Sequence, residues 1–239
     1  MAIDFSEKVV LVAGGTGGLG RAVSLAFLAC GACVAVTWRH EDEFRVLRNA
    51  AAEHTNRLAG FQVNVTDTRA TEGLAEQILA RWIHLDAMVN TVGGYAGGIP
   101  LWELAPGALE HMLDLNLRAT YALARAVVPS MKARKSGAIV NVASRAAWDH
   151  AAGAAAYAAS KAAAVALMDS LAADLAGSGV RVNSILPSII DTEANRAAMP
   201  QADFSKWPKA EAIAEVILFL ASDAARVVHG ASIPVFGNG

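Results

Sequence analysis

"VVLVAGGTGGLGRAVSLAF" (residues 9–27) runs from an apolar, β-branched segment through a glycine-rich turn into a helical pattern. At these positions Gly14 permits a tight turn, Gly18 lets the backbone approach a bound pyrophosphate, and Gly20 lets the helix lie close to the sheet. The N–H groups of the first helical turn would then face the phosphates. Glycine-rich turns are common, but one that directly follows an N-terminal strand and opens a helix indicates a dinucleotide site.

The rest of the chain continues this alternation of strand and helix. Apolar runs predict strands at residues 8–14, 33–38, 60–65, 85–93, 137–144, 180–187 and 231–237. Helical patterns occupy residues 18–30, 41–53, 68–82, 107–134, 152–176 and 209–221. Continuous Val, Ile and Leu runs are typical of strands buried on both faces. We therefore expect an α/β fold: a single-domain, Rossmann-type, doubly wound parallel sheet of about seven strands over residues 1–239, with helices on both faces.

Composition excludes several classes of protein. The 239 residues are 54% hydrophobic and 18% charged, which argues against disorder. Twenty Lys and Arg residues stand against 22 Asp and Glu residues without forming a basic run, so we expect neither a nucleic-acid nor a membrane partner. Because no uncharged apolar stretch is as long as a membrane span and the N-terminus has no signal-peptide pattern, we expect a cytoplasmic protein.

The two cysteines, Cys30 and Cys33, form a Cys-x-x-Cys motif that could be a redox pair or half of a zinc site. No histidine has the spacing that would complete a zinc site. The favoured interpretation is structural: Cys30 ends a helix, Gly31 caps it and Cys33 opens a strand. We expect no bound metal.

Cofactor selectivity should be decided at the end of the second strand, in "VTWRHEDEF" (36–44). An NAD site places a carboxylate there to accept a hydrogen bond from the ribose 2′-OH. This chain has Trp38 followed by Arg39, and a guanidinium can pair with a 2′-phosphate where a carboxylate would repel it. The sequence therefore favours NADP(H) over NAD(H). The alternative is that Arg39 is an ordinary solvated side chain.

"YAASK" (157–161) places a phenol and an ammonium four residues apart in an alanine-rich helix, so Tyr157 and Lys161 share one face. A tyrosine with a pKa near ~10 is a poor base at neutral pH. One ammonium at about 4 Å can favour the phenolate by roughly the 4 kcal/mol that a shift to about 7 requires. We expect Lys161 to lower the pKa of Tyr157 in this way.

Two other polar residues support a reacting centre around this pair. Ser144 ends the apolar strand "GAIVNVAS" (137–144) and should lie at the carboxyl edge of the sheet, where ligands bind in open α/β folds. Asn116 lies among leucines in "LDLNLRA" (113–119), so it should be buried and should need a hydrogen-bond partner.

The glycine turn together with Asn116, Ser144, Tyr157 and Lys161 resembles the short-chain dehydrogenase/reductase family over essentially the whole chain. The resemblance implies hydride transfer between nicotinamide C4 and a carbonyl or alcohol. In that family the tyrosine exchanges the proton of the substrate oxygen and the serine holds that oxygen. The lysine lowers the tyrosine pKa and binds the nicotinamide ribose, and the asparagine orders a water.

The same resemblance implies a set of cofactor contacts, with some departures from the family pattern. Ala13 replaces the usual Thr of the glycine turn, Gly17 replaces a basic residue of many NADP-binding relatives, and Ser188 replaces a Gly. "VNTVGG" (89–94) replaces the usual Asn-Asn-Ala-Gly. The implied contacts are Gly14, Thr16, Gly18, Leu19, Gly20, Arg39, Asn64, Val65, Asn90, Gly93, Tyr157, Lys161, Pro187, Ile190 and Thr192.

These observations favour an NADP(H)-dependent carbonyl reductase or alcohol dehydrogenase acting on a small molecule. One alternative is a pterin reductase, because "VGGYAGG" (92–98) and "DTEANRAAMPQADFSKW" (191–207) resemble dihydropteridine reductases, although Arg39 and Ser144 depart from their pattern. A second alternative is a non-catalytic dinucleotide-sensing protein. The family resemblance also implies a homo-oligomer, a tetramer or a dimer, built through the helices predicted at 107–134 and 152–176.

Overall fold

A computed structural model describes residues 3–237. Within this range, seven strands, numbered in chain order, form one sheet in the order β3-β2-β1-β4-β5-β6-β7. Every neighbouring pair is parallel, as predicted. The strands are β1 (Val9–Ala13), β2 (Cys33–Trp38), β3 (Leu58–Gln62), β4 (Ala87–Asn90), β5 (Gly137–Val142), β6 (Val180–Pro187) and β7 (Ser232–Val235). The helices are α1 (Gly18–Ala29), α2 (Glu41–Ala50), α3 (Thr68–Trp82), α4 (Ala108–Leu113), α5 (Ala119–Arg134), α6 (Ala155–Asp174), α7 (Glu193–Ala198) and α8 (Ala210–Ala221).

The sheet is buried on both faces. Along β1, Val10 and Val12 pack in a core with residues of α1 and α8, whereas Val9 and Leu11 pack in a second core with residues of α3, α5 and α6. This arrangement explains why the strands read as continuous apolar runs. The expected doubly wound fold is confirmed.

The strand order reverses at β1, which pairs with β2 on one side and with β4 on the other. In open α/β sheets, ligands bind at the carboxyl ends of the strands beside such a switch point. The fold therefore brings the glycine turn after β1 close to the loops that follow β4 and β5.

Three elements differ from the sequence prediction. Strand β3 covers 58–62 rather than 60–65, because its first residue, Leu58, pairs with Val34 while the later Val65 turns into the core under α3. The helix predicted at 107–134 is divided by a π-helical turn, Asp114–Arg118, between α4 and α5. The short helix α7 lies in a segment for which we predicted no helix.

The structural interpretation of the cysteine motif is confirmed. Cys30 is the C-cap of α1, Gly31 follows with φ of +97°, and Cys33 is the first residue of β2. Both thiols are free of a disulfide. Within residues 3–237, no helix has both the length and the apolar character needed to cross a membrane.

Candidate active site

The glycine turn after β1 has the geometry that an anion site requires. Gly14 adopts φ of +74°. A Cβ on Gly20 would lie 2.0 Å from the carbonyl oxygen of Gly14, so only glycine fits there. Helix α1 begins next to this turn. Its N-cap, Gly17, has no side chain to occupy the free N–H groups, and its first turn has no acidic residue that would repel an anion. The helix N-terminus and these glycines fit a dinucleotide pyrophosphate.

The hydroxyl that Ala13 lacks is provided by a neighbouring strand end. Thr91 Oγ1 donates a hydrogen bond to the carbonyl oxygen of Ala13 at 2.7 Å, and Gly14 N donates to Thr37 Oγ1 at 2.9 Å. This hydrogen bonding comes from side chains of neighbouring segments and does not need a hydroxyl at position 13. It fixes the glycine turn to β2 and to the loop after β4.

The segment after β6 approaches the same turn. A Cβ on Gly18 would lie 2.8 Å from Thr192 Cγ2, so the methyl group of Thr192 lies directly against the start of α1. Pro187 ends β6, and the carbonyl oxygen of Ile190 accepts a hydrogen bond from Asn195 Nδ2 at 2.8 Å. Leu19 is buried in the core beneath the turn. Of the contacts expected in this segment, Thr192 thus lies against the glycine turn.

A cleft of about 480 Å³ lies beyond the ends of β2 and β3, and Trp38, Arg39 and Asn64 are among the residues that line it. Asn64 Oδ1 accepts from the backbone N–H of Thr66 at 3.2 Å and from its hydroxyl at 2.9 Å. Val65 is buried in the core, so its side chain does not face this cleft. The cleft lies where the adenosine half of a dinucleotide would extend from the turn.

Asn116 is buried in the π-helical turn and has the partners that its position in the sequence demanded. Its Nδ2 donates to the carbonyl oxygen of Gly94 at 3.1 Å and to Ser160 Oγ at 3.0 Å. Its Oδ1 accepts from Gly94 N at 3.1 Å. A Cβ on Gly93 would lie 2.7 Å from Asn116 Oδ1 and 2.9 Å from Lys161 Nζ, so the loop after β4 lies directly against both side chains.

Lys161 extends from α6 into the protein and is 6% exposed. Its Nζ donates to the carbonyl oxygen of Val142, the last residue of β5, at 3.1 Å. Burial lowers the pKa of Lys161 to about 8. The ammonium is therefore held at the carboxyl edge of the sheet, where the sequence placed it.

Tyr157 is half-buried one helical turn before Lys161, and its phenol lies near the hydroxyl of Ser144. Burial raises the pKa of Tyr157, the nearby Ser144 hydroxyl opposes that rise, and the neighbouring Tyr95 phenol adds to it. In the polypeptide alone, the net shift is thus opposite to the one we expected from Lys161. The pKa expected from the charge of Lys161 alone did not include desolvation, which favours the neutral phenol.

Three residues around the reacting centre were missed by the sequence analysis. Ser160 Oγ donates to the carbonyl oxygen of Tyr157 at 2.8 Å and accepts from Asn116. Thr120 Oγ1 donates to the carbonyl oxygen of Asn116 at 2.7 Å and accepts from Asn90 Nδ2 at 2.9 Å. The ring of Tyr95 meets the ring of Tyr157 edge-on, with centroids 4.9 Å apart. An aromatic residue within the glycine-rich "VGGYAGG" was the one available signal for Tyr95.

Comparisons with known proteins agree with this architecture. A family model described as short chain dehydrogenase matches residues 8–203. D-threitol dehydrogenase from Mycolicibacterium smegmatis is 32% identical over 251 residues, covering 100% of this chain and 96% of that protein. The 3-oxoacyl-[acyl-carrier-protein] reductase FabG from Thermotoga maritima is 29% identical over 239 residues, covering 97% of each chain.

A solved structure of a short-chain type dehydrogenase/reductase from Mycobacterium ulcerans superposes with a TM-score of 0.93 at 28% identity, covering 98% of this chain and 90% of that one. The chain belongs to the short-chain dehydrogenase family. It is an NAD(P)-dependent oxidoreductase that acts on a CH–OH or C=O group.

Proposed function

We propose that residues 1–239 act as one catalytic domain that reduces a small carbonyl compound with NADPH. The observation that carries this proposal is the Tyr157 phenol, which lies near Ser144 at the carboxyl edge of the sheet, one helical turn from the buried Lys161. A D-threitol dehydrogenase and a 3-oxoacyl-[acyl-carrier-protein] reductase among the relatives support a carbonyl or alcohol as the reacting group.

Each side chain has a distinct role in this proposal. A bound reduced nicotinamide supplies hydride to the carbonyl carbon. Tyr157 donates its proton to the carbonyl oxygen, and the hydroxyl of Ser144 donates a hydrogen bond to the same oxygen. Because burial raises the pKa of Tyr157, its phenol is protonated at neutral pH, as the reductive direction requires.

Lys161 and Asn116 support this chemistry from the interior. The Lys161 ammonium has two further N–H donors besides the one directed at Val142, and these can hold the hydroxyls of the nicotinamide ribose. Its charge favours the phenolate that remains after proton donation. Asn116 ties the loop after β4 to α6 through Gly94 and Ser160, and we assign it the ordering of a water that replenishes the proton.

NADP(H) is the proposed cofactor because the end of β2 offers a guanidinium and no carboxylate. Arg39 is exposed and lines the cleft beside the glycine turn, directly after Trp38. Glu43, a nearby carboxylate of α2, accepts a hydrogen bond from Thr16 Oγ1 at 2.9 Å. Arg39 is therefore the side chain that we assign to the 2′-phosphate.

The proposed location is the cytoplasm, and the proposed assembly is a homo-oligomer. Two free thiols, Cys30 and Cys33, suit a reducing compartment. On α5, one of the two helices implied in subunit contacts, the ring of Tyr121 is 47% exposed. A large apolar ring on that surface supports a helix-to-helix subunit contact.

The test is the Tyr157→Phe variant, assayed with NADPH against a panel of small ketones. Loss of the proton donor should lower kcat by roughly a hundredfold or more. NADPH binding, followed by fluorescence of the reduced nicotinamide, should persist. Tyr121→Phe is the matched control because Tyr121 lies on the outer surface of α5, and it should keep the native rate. A Tyr157→Phe enzyme with native turnover would refute the proposal.

A further inference from the structure

The loop after β4 holds the ring of Tyr95 in a defined place beside the reacting centre. Its ring lies edge-on to that of Tyr157, with an interplanar angle of 77°. Its hydroxyl lies over Gly97, where a Cβ would be 2.1 Å from Tyr95 Oη. The next residue, Gly98, donates its N–H to the carbonyl oxygen of Gly153 at 2.9 Å, which ties the loop to the segment before α6.

Tyr95 also lines a separate cavity of about 340 Å³. The other residues that line it are Ala96, Gly97, Ile99, Leu104, Ala105, Ala108, Gly153, Ala155 and Ala156. All of these lie within the described part of the chain, and none has a charged side chain. The Tyr95 hydroxyl is the only polar side-chain group among them.

The cavity thus lies next to the reacting centre, with one ring between them. Tyr95 contacts Tyr157 and also lines the cavity, and Ala156 and Tyr157 are consecutive on α6. A substrate held at the Tyr157 hydroxyl would extend one substituent past the Tyr95 ring towards this cavity. Apolar walls of this kind bind hydrocarbon groups by removing them from water.

We infer that this cavity binds an uncharged hydrocarbon substituent of the carbonyl substrate, and that Tyr95 is the specificity-determining wall that directs it there. This inference rests on the proposed function and specifies its substrate class: ketones or aldehydes with an alkyl chain or an apolar ring. It assigns the cavity to one substituent and leaves the carbonyl oxygen to Tyr157 and Ser144.

The same lining disfavours substrates that are polar on this side. A polyol, a carboxylate or the hydrogen-bonding edge of a pterin would exchange part of its water there for alanine, isoleucine and leucine side chains, which offer no hydrogen bond. Buried polar groups without partners cost free energy, and an unpaired charge costs far more. The cavity therefore separates the apolar class from the pterin and polyol classes.

A series of methyl ketones tests the inference. With saturating NADPH, kcat/KM should rise from 2-butanone to 2-octanone by roughly fourfold for each added methylene group until the cavity is full. 6-Oxoheptanoate, a methyl ketone of similar length that ends in a carboxylate, should lack that gain. Equal kcat/KM values for 2-butanone and 2-octanone would overturn the inference.

Variants that fill the cavity test the inference on the protein side, with the same two ketones as substrates. Ala108→Leu places a larger side chain into it from the start of α4, and Ala105→Leu does so from the preceding loop in case the first variant folds poorly. Either should lower kcat/KM for 2-octanone about tenfold, the effect of one or two methylene groups, and leave 2-butanone within about twofold. Ala133→Leu, on the exposed surface of α5, is the control and should change neither value. An unchanged ratio of the two ketones in both filled variants would overturn the inference.

A binding measurement separates this inference from the proposed function. In the Tyr157→Phe variant with NADPH, 2-octanone should still bind, as detected by ligand-observed NMR. Combining that change with Ala108→Leu should weaken this binding about tenfold. If the native enzyme reduces no ketone while this difference in binding is seen, the proposed function fails and the cavity assignment stands. If ketones are reduced but 2-octanone binds equally to both variants, the cavity assignment fails alone.

Discussion

At Lys161 the proposed catalytic role and the stability of the fold make opposite demands. Its ammonium is buried, and burial lowers its pKa from 10.5 in a model compound to about 8. Between these two values the unfolded chain binds more protons than the folded protein, so the free energy of unfolding rises with pH across that window. Below pH 8 the full cost of burying the charge is present.

We therefore predict that Lys161→Met stabilises the protein at pH 7 while abolishing turnover. The gain should be roughly 1–3 kcal/mol in the free energy of unfolding, since one pKa unit corresponds to about 1.4 kcal/mol and the bond to Val142 is lost. The gain should shrink as pH rises from about 8 towards 10.5, because the folded lysine is then neutral while the unfolded lysine is still protonated. Urea unfolding without cofactor at several pH values measures it. A variant less stable than the native protein at pH 7 would contradict this prediction.

Arg39 is the residue on which cofactor selectivity depends in this account. Arg39→Ala should raise KM for NADPH by roughly ten- to a hundredfold, because a charge-assisted pair with the 2′-phosphate contributes about 1.5–3 kcal/mol. KM for NADH should stay within about twofold, since NADH has no 2′-phosphate. Arg48→Ala, an exposed arginine on α2, is the control. Equal effects on NADPH and NADH would refute the assignment of Arg39.

At the residue scale, the sequence predicts which side chains form the candidate site better than it predicts their protonation. Spacing and position at a strand end or among leucines are local properties, and they were enough to select Tyr157, Lys161, Ser144 and Asn116. The direction of the Tyr157 pKa shift could not be predicted. Its largest cause is burial beneath a loop about 60 residues earlier in the chain, and sequence spacing does not measure desolvation.

At the scale of elements, the segment after β6 is fastened by one carboxylate. Asp191, whose side chain is 5% exposed, accepts from Arg196 Nε at 2.5 Å and from Arg196 Nη2 at 2.9 Å. It also accepts from Lys209, with which it forms an isolated parallel bridge. The guanidinium of Arg196 in turn lies 4.8 Å from the ring centroid of Phe204. These contacts hold residues 191–209 closed beside the glycine turn.

We predict that Asp191→Asn loosens this segment and weakens cofactor binding. Losing the charge leaves Arg196 and Lys209 without their shared anion, so backbone amides of residues 192–208 should exchange with deuterium about tenfold faster. KM for NADPH should rise several-fold, because Thr192 would no longer be held against Gly18. Asp174→Asn, at the end of α6, is the control. Unchanged exchange in residues 192–208 would contradict the fastening role.

The elements themselves were largely predictable, whereas their irregularities were not. The apolar runs predicted all seven strands in the sheet, because the five inner strands are buried almost throughout and the edge strands β3 and β7 are partly buried. The π-helical turn at Asp114–Arg118 left no trace in the pattern, since one additional residue in a helix shifts the apolar periodicity too little to detect. At the end of that turn, Thr120 Oγ1 donates to the carbonyl oxygen of Asn116, four residues earlier on the same helix.

At the scale of the whole molecule, the switch of strand order determines where chemistry can occur. In the sheet, β4 and β5 lie on one side of β1, and β2 lies on its other side. One edge of the sheet therefore brings together the glycine turn, the loop after β4 and the start of α6. Residues far apart in sequence, such as Gly93, Asn116 and Lys161, are thereby brought into contact. The sequence pattern predicted this edge through the parallel order of strands.

The proposed homo-oligomer belongs to the same scale. Tyr121 presents a largely exposed ring on α5, so Tyr121→Glu should place a charge in a helix-to-helix subunit contact. Light scattering should then show a mass closer to that of one chain, whereas Tyr121→Phe should keep the native mass. A native protein that already has the mass of a single chain would contradict the proposed assembly.

We propose, as the central claim, that Tyr157 protonates a carbonyl oxygen whose carbon would receive hydride from the nicotinamide of a dinucleotide held by the glycine turn. Its most direct test uses NADPH with deuterium at nicotinamide C4 and a ketone that the enzyme reduces, with the product alcohol analysed by mass spectrometry. Because each face of C4 can be labelled, both labelled forms are tested. With the native enzyme, the account predicts that one of the two labelled NADPH forms places one deuterium on the carbinol carbon. With Tyr157→Phe it predicts almost no alcohol, although NADPH is bound. Alcohol without deuterium from either form, or labelled alcohol produced at the native rate by Tyr157→Phe, would contradict it.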